Sequence, residues 1–228
     1  MEPTRFSRRW FGGLAATAAA LQLLGPAPSL AATRRGALPA AEAELVRFAT
    51  SPFPYEGNNP EDGVLFLDAT GPDGRVGHTS LRGGIYYEDE TYSDSRVLVA
   101  LPAGFDLGKK AAIVVFFHGN NATLQRDVLG RQRVLGQLQA SGLNAALIAP
   151  QFAVDALDSS AGRFWMPGAF ARFMGEAAFA LANLWGMRSA RSSFAGLPII
   201  LVAYSGGYDP AAYALTVDCR YDLTRGCH

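Results

Sequence analysis

Leu197-Pro198-Ile199-Ile200-Leu201-Val202-Ala203-Tyr204-Ser205-Gly206-Gly207 is the stretch that decides the fold. The apolar run Leu197–Ala203 reads as a strand covered on both faces. It leads straight into a serine flanked by small residues. Asp209-Pro210 then reads as a helix start with Asp209 as cap. A sharp strand-to-helix turn of this form is a nucleophile elbow, which projects a serine hydroxyl above a sheet. An ordinary glycine-rich strand-to-helix turn has the same letters.

Upstream, strands and helices alternate. Ala112-Ile113-Val114-Val115-Phe116-Phe117 and Ala145-Ala146-Leu147-Ile148-Ala149 are apolar throughout, as strands between helical layers are. Thr123 to Ala140 carries Leu124, Val128, Leu135 and Leu138 at helical spacing, with Gly142 as a stop. Pro167 to Trp185 predicts a second helix, with Phe170, Phe173, Met174, Ala177, Leu181 and Leu184 as its apolar stripe. Pro210 to about Val217 predicts a third. This alternation predicts a parallel α/β sheet with right-handed crossovers. Earlier still, Val64–Leu67, His78–Tyr87 and Ser95–Leu101 read as strands, with a turn at Gly71-Pro72-Asp73-Gly74 and a stop at Pro102. They predict an antiparallel start to the sheet. Residues 33–62 read as an irregular lead-in in which Ala40 to Phe48 makes a short helix.

Residues 1–32 read as a targeting segment. Ser7-Arg8-Arg9-Trp10-Phe11 precedes the apolar stretch Leu14–Leu24, a Gly25-Pro26 break and the small residues Ser29–Ala32. This order resembles a Tat signal peptide, the alternative being an uncleaved amphipathic anchor. It predicts export to the periplasm or medium. The apolar run is short of the ~20 residues a span requires, so no membrane span is expected after its removal. The formal net charge is zero. Loss of Arg5, Arg8 and Arg9 against Glu2 leaves the rest slightly acidic. No long basic run follows, so no nucleic-acid partner is expected. Cys219 and Cys227 can pair in an exported chain, but with His228 they make too few ligands for a structural zinc site. No metal or cofactor is expected.

Ligands of an open α/β sheet bind at the carboxyl ends of its strands. Three segments fall there: His118-Gly119-Asn120-Asn121, the loop from Gln151 to Trp165, and the Ser205 turn. Ser205 is the candidate nucleophile, and its hydroxyl needs a base to activate it. Backbone N–H groups of Asn120 or Asn121 can join that of Gly206 in holding a developing oxyanion. The asparagines alternatively cap the helix near Thr123. His118 reads as a structural residue bonded to the loop backbone rather than as a base.

Together, the strand–His-Gly–helix loop and the Ala-x-Ser-x-Gly turn resemble the α/β-hydrolase family over residues 64 to 215. Ala203 stands where that family usually has glycine. The resemblance implies a three-layer fold with a mostly parallel sheet. It implies an ester, less readily an amide, as small-molecule substrate. It assigns Ser205 as nucleophile and Asn120 with Gly206 as oxyanion donors. Phe152, Phe164 and Trp165, in a loop that also holds Asp155 and Asp158, would wall the pocket; Phe164 and Trp165 alternatively pack beneath the loop.

The family's acid and histidine follow the serine. The polar segment Asp218–His228 does not read as a buried strand. His228 can reach back as base: the helix carries the chain about 13 Å away, and the residues beyond it, at about 3.3 Å each, span the return. Asp209, Asp218 or Asp222 would orient it. The expectation is therefore a partial hydrolase domain over 63–228, lacking the last strands, truncated or frameshifted, and inactive or weakly active. Ile199–Val202 would then be an unpaired apolar edge open to a strand-edge partner. A non-catalytic binding protein of the same fold and a fragment completed by another chain are the alternatives.

Overall fold

The structure, a computed structural model, describes residues 36–221, with side chains as far as Val217. The sheet is built from β1 (Glu42–Arg47), β5 (Arg96–Leu101), β6 (Ala112–Phe117), β7 (Ala145–Pro150) and β8 (Ile199–Ala203), in the order β1-β5-β7-β6-β8. β7, β6 and β8 are parallel, while β5 pairs antiparallel with both β1 and β7. β5 alone therefore runs against the others. This is a mixed α/β architecture with a mostly parallel sheet, as the alternation predicts; of the strands expected to open that sheet, only β5 belongs to it.

Side chains along a strand alternate between faces, and here both faces are covered. Val97, Val99, Ile113, Val115, Phe117 and Ile148 join the larger core, together with α2 (Ala169–Leu184), α3 (Arg191–Ala195) and α4 (Tyr208–Tyr221). Leu98, Ala100, Val114, Phe116 and Leu147 face the other way. They pack with Leu124 and Val128 and with Leu138 of α1 (Val134–Ala140). β6 and β7 are buried at every residue. Each Val, Ile, Leu or Phe buried there contributes roughly 1.5–3 kcal/mol, which is why these strands hold the centre. β8 is different. Among the described residues it bonds only β6, and Ile199, Ile200 and Val202 are 45%, 40% and 39% exposed. Among the described residues it is the apolar sheet edge that the sequence anticipates.

Four expectations change. Ala40–Phe48 is not helical: Glu42–Arg47 is β1, paired in register from Glu42↔Leu101 to Arg47↔Arg96. The ladder offered by β5 overrides the helical preference of its Ala and Glu residues. The irregular lead-in contributes to the larger core, where Leu38, Phe48, Phe53 and Tyr55 are buried. The Glu176 carboxylate of α2 accepts from the Ala49 and Thr50 N–H groups at 3.0 and 2.9 Å, tying this segment down. Val64–Leu67 is no regular strand. The chain folds back there, with an isolated bridge between Asn58 and Leu65.

His78–Tyr87 is a hairpin rather than one strand. β3 (Val76–Ser80) and β4 (Gly84–Tyr87) join β2 (Ala69–Thr70) in a separate three-stranded sheet. Arg75 steadies it, lying 3.8 Å over the Tyr87 ring and bonding Asp73 and Glu90. Finally, Thr123–Ala140 is not one helix. Leu124–Arg131 forms wide turns closed by Gln132 N–H on the Asp127 carbonyl at 2.7 Å, and α1 begins only after Arg133. Arg133 has φ of 51°, which ends any continuous helix. Asp127 holds the wide turns by accepting from the Thr123 N–H at 2.8 Å and pairing with Arg126 and Arg131.

Candidate active site at the carboxyl edge

β8 delivers Tyr204 in extended conformation, its N–H bonded to the Phe117 carbonyl of β6 at 2.9 Å. At Ser205 the chain reverses with φ of 51°. A serine in the left-handed region carries on the order of 1–3 kcal/mol of strain and persists only where its surroundings dictate it. The Ser205–Gly207 turn then runs directly into α4. Ser205 is exposed.

Two glycines make the turn possible. A Cβ at Gly207 would collide with the Phe117 and His118 carbonyls, so α4 starts pressed against the end of β6. A Cβ at Gly206 would fall on Asn120 Oδ1 and lie 2.9 Å from Ser159 Oγ. The strand–loop of β6 is equally close, since a Cβ at Gly119 would come within 2.9 Å of the Ser205 Cβ. Gly119 and Asn120 thus lie directly against the Ser205 turn.

His118 explains why the loop holds this course. It is 2% exposed. Its Nδ1 donates to the Gly119 carbonyl at 2.8 Å, and its Nε2 accepts from the Phe152 N–H at 2.9 Å. That pattern assigns the Nδ1–H tautomer. Burial pushes its pKa below the ordinary histidine value, so the ring is neutral. Both nitrogens are committed to the main chain, which is the structural role expected from sequence.

The two asparagines part company. The Asn121 N–H donates to the Ala156 carbonyl at 2.9 Å. That corrects its assignment as a donor to an oxyanion. The N–H groups of Asn120 and Gly206 have no hydrogen-bond partner among the described residues, and both border Ser205. Phe152 and Phe164 are also corrected. They are buried in a ring cluster, Phe117–Phe152 at 5.0 Å, Phe117–Phe164 at 5.8 Å and Phe164–Phe173 at 5.2 Å between centroids. Trp165 packs beneath the loop against Tyr55 and Phe66, each at 5.5 Å, and Tyr213 of α4 at 6.3 Å. Phe152 and Phe164 belong to the core, while Trp165 is half-buried at its margin.

Ser205 Oγ bonds no side chain among the described residues. His78 is occupied elsewhere, its Nδ1 against the Phe66 carbonyl at 2.7 Å and its ring stacked on Phe66. Asp209 is exposed at the start of α4. His228, Asp222 and Cys227 lie outside the described residues, as do the side chains of Asp218 and Cys219. Ser159 was not legible as a site residue. Its only sequence signal is the polar run Asp158-Ser159-Ser160 within the loop.

No protein-family model matches the chain, and no curated protein or solved structure matches it either. Among the described residues no helix is long and apolar enough to cross a membrane.

Proposed function

We propose that this chain is a serine hydrolase of the α/β-hydrolase kind, acting on an ester through Ser205. The observation that carries the reading is the positive φ of Ser205 at a strand-to-helix turn, beside two unbonded N–H groups. Strain of this sort clusters at functional sites.

Ser205 Oγ attacks the ester carbonyl carbon, and the carbonyl oxygen takes up the charge. The N–H groups of Asn120 and Gly206 receive that oxyanion; one such donor is worth roughly 3 kcal/mol in the transition state. Expulsion of the alcohol leaves an acyl-serine, which water cleaves to the acid and free serine. The serine proton passes to a base outside the described side chains, since His118 is committed on both nitrogens, and that base returns it to the departing alkoxide. His228 is the residue proposed for that role. The reading extends to export by the twin-arginine segment; a mature N-terminus at Ala32 or Thr33, read by mass, checks it.

Labelling by a fluorophosphonate tests the nucleophile. The Ser205 Oγ–P bond forms, the P–F bond breaks, fluoride leaves and the serine proton goes to solvent or base. Expected is labelling of the folded protein at Ser205, abolished in Ser205→Ala. A folded protein that takes no label would overturn the enzyme reading and favour a non-catalytic binding protein.

The exposed Ile199, Ile200 and Val202 favour a second reading, in which β8 is completed by a strand from another chain. Folding or labelling only in the presence of that chain distinguishes it.

A further inference from the structure

The loop between β7 and α2 is anchored at one residue after another. The Val154 N–H donates to the Thr91 carbonyl at 3.0 Å. Asp155, itself in the left-handed region at φ of 48°, accepts from Arg126 at 2.6 Å. The Ala156 carbonyl takes the Asn121 N–H, and Leu157 uses both its main-chain groups, its N–H on the Tyr86 hydroxyl and its carbonyl under Ser80 Oγ, each at 3.0 Å. The Tyr92 hydroxyl donates to Asp158 Oδ2 at 2.9 Å. Burial, and then the Asp158 charge, push the Tyr92 phenol well above its ordinary pKa, so it remains a donor.

Ser159 is the next residue, and its hydroxyl turns toward the Ser205 turn instead. Ser159 Oγ donates to Asn120 Oδ1 at 3.2 Å, above the Gly206 Cα. This is the one hydrogen bond made by the Asn120 side chain among the described residues. The Asn120 main-chain N–H makes none.

We infer that Ser159 is a positioning residue of the oxyanion site: by holding the Asn120 side chain over Gly206, it keeps the Asn120 N–H aimed alongside that of Gly206. The inference rests on the hydrolase reading of Ser205. A loop residue with a free side chain would let its peptide plane rock, and a misaimed donor loses most of its value in the transition state. Successive anchors from Val154 to Asp158 tie Ser159 to the hairpin and to the segments around Thr91 and Arg126, and one hydrogen bond passes that restraint to Asn120.

The test is the rate of fluorophosphonate inactivation at Ser205, resolved into inhibitor binding and the bond-forming step, for wild type, Ser159→Ala and Ser159→Thr. The order parameter of the Asn120 main-chain N–H, read by NMR relaxation, is followed in the same proteins. Losing one such bond is expected to slow the bond-forming step about tenfold, with inhibitor binding unchanged. The threonine variant, which keeps the hydroxyl, restores it. The order parameter at Asn120 falls in Ser159→Ala only. Wild-type rates and a wild-type order parameter in Ser159→Ala would overturn the inference while leaving the nucleophile in place. A wild-type protein that takes no label fails the hydrolase reading itself, and the order parameter still reports whether Ser159 orders Asn120.

Discussion

Gly206 and Gly207 are neighbours with opposite constraints. A side chain at 207 meets main-chain carbonyls of β6, which cannot yield; one at 206 meets the end of the Asn120 side chain, which can. Gly207→Ala is therefore expected to destabilise the fold by about 1–3 kcal/mol, lowering Tm by roughly 2–4 °C for each kcal/mol. Gly206→Ala is expected to keep its Tm within a few degrees while losing about tenfold or more in labelling of Ser205. Thermal unfolding and labelling of both variants check the contrast; equal Tm losses would count against it. At this scale the sequence revealed residue types but not their bonding. Ser205, His118 and Gly206 stood out through their neighbours in the chain. Which of Asn120 and Asn121 keeps an open N–H depends on Ala156, brought over by a loop more than thirty residues later. Ser159 depends on the same folding-over, so no local pattern marks it.

The strands differ in how firmly they are held. Ile148 of β7 is fully buried between paired strands, whereas Ile200 of β8 is 40% exposed. Ile148→Ala is expected to cost about 2–5 kcal/mol, as for a core truncation, and Ile200→Ala less than half of that. Urea midpoints at constant m-value measure both; comparable losses would mean that β8 is covered in solution. The elements most legible in the sequence were those apolar enough to leave one solution. β6 and β7 carry no polar residue over their central positions, and the Phe170–Leu184 stripe fits only a helix face. Ala41-Glu42-Ala43-Glu44 favours a helix in isolation, which hides β1 in the sequence. Its strand state is imposed by Arg96–Leu101, about fifty residues away. The break at Arg133 was likewise invisible, since nothing in Gln132-Arg133-Val134 forbids a helix.

Over the whole molecule, the neutral buried His118 couples stability to pH. Its pKa in the fold lies below its value in the unfolded chain, so the unfolded chain takes up the proton first as pH falls. Stability from this group is complete above about pH 6.5 and declines below it, by at most about 1.4 kcal/mol per pH unit. Urea unfolding between pH 7.5 and 5.5 should show that decline, and His118→Asn, destabilised at every pH, should lack the histidine component of the slope. An unchanged slope in the variant would assign the dependence to other groups. The sheet order has a consequence in time as well. β6 lies between β7 and β8, and its pairing of Ile113 with Ile199 joins residues 86 apart in the chain. At about 5–20 residues per second of synthesis, roughly 4–17 seconds separate the two on the ribosome. Through that interval Ile113–Phe117 has no partner on its β8 side, and a nascent chain in that state is a substrate for chaperones before it is a folded protein.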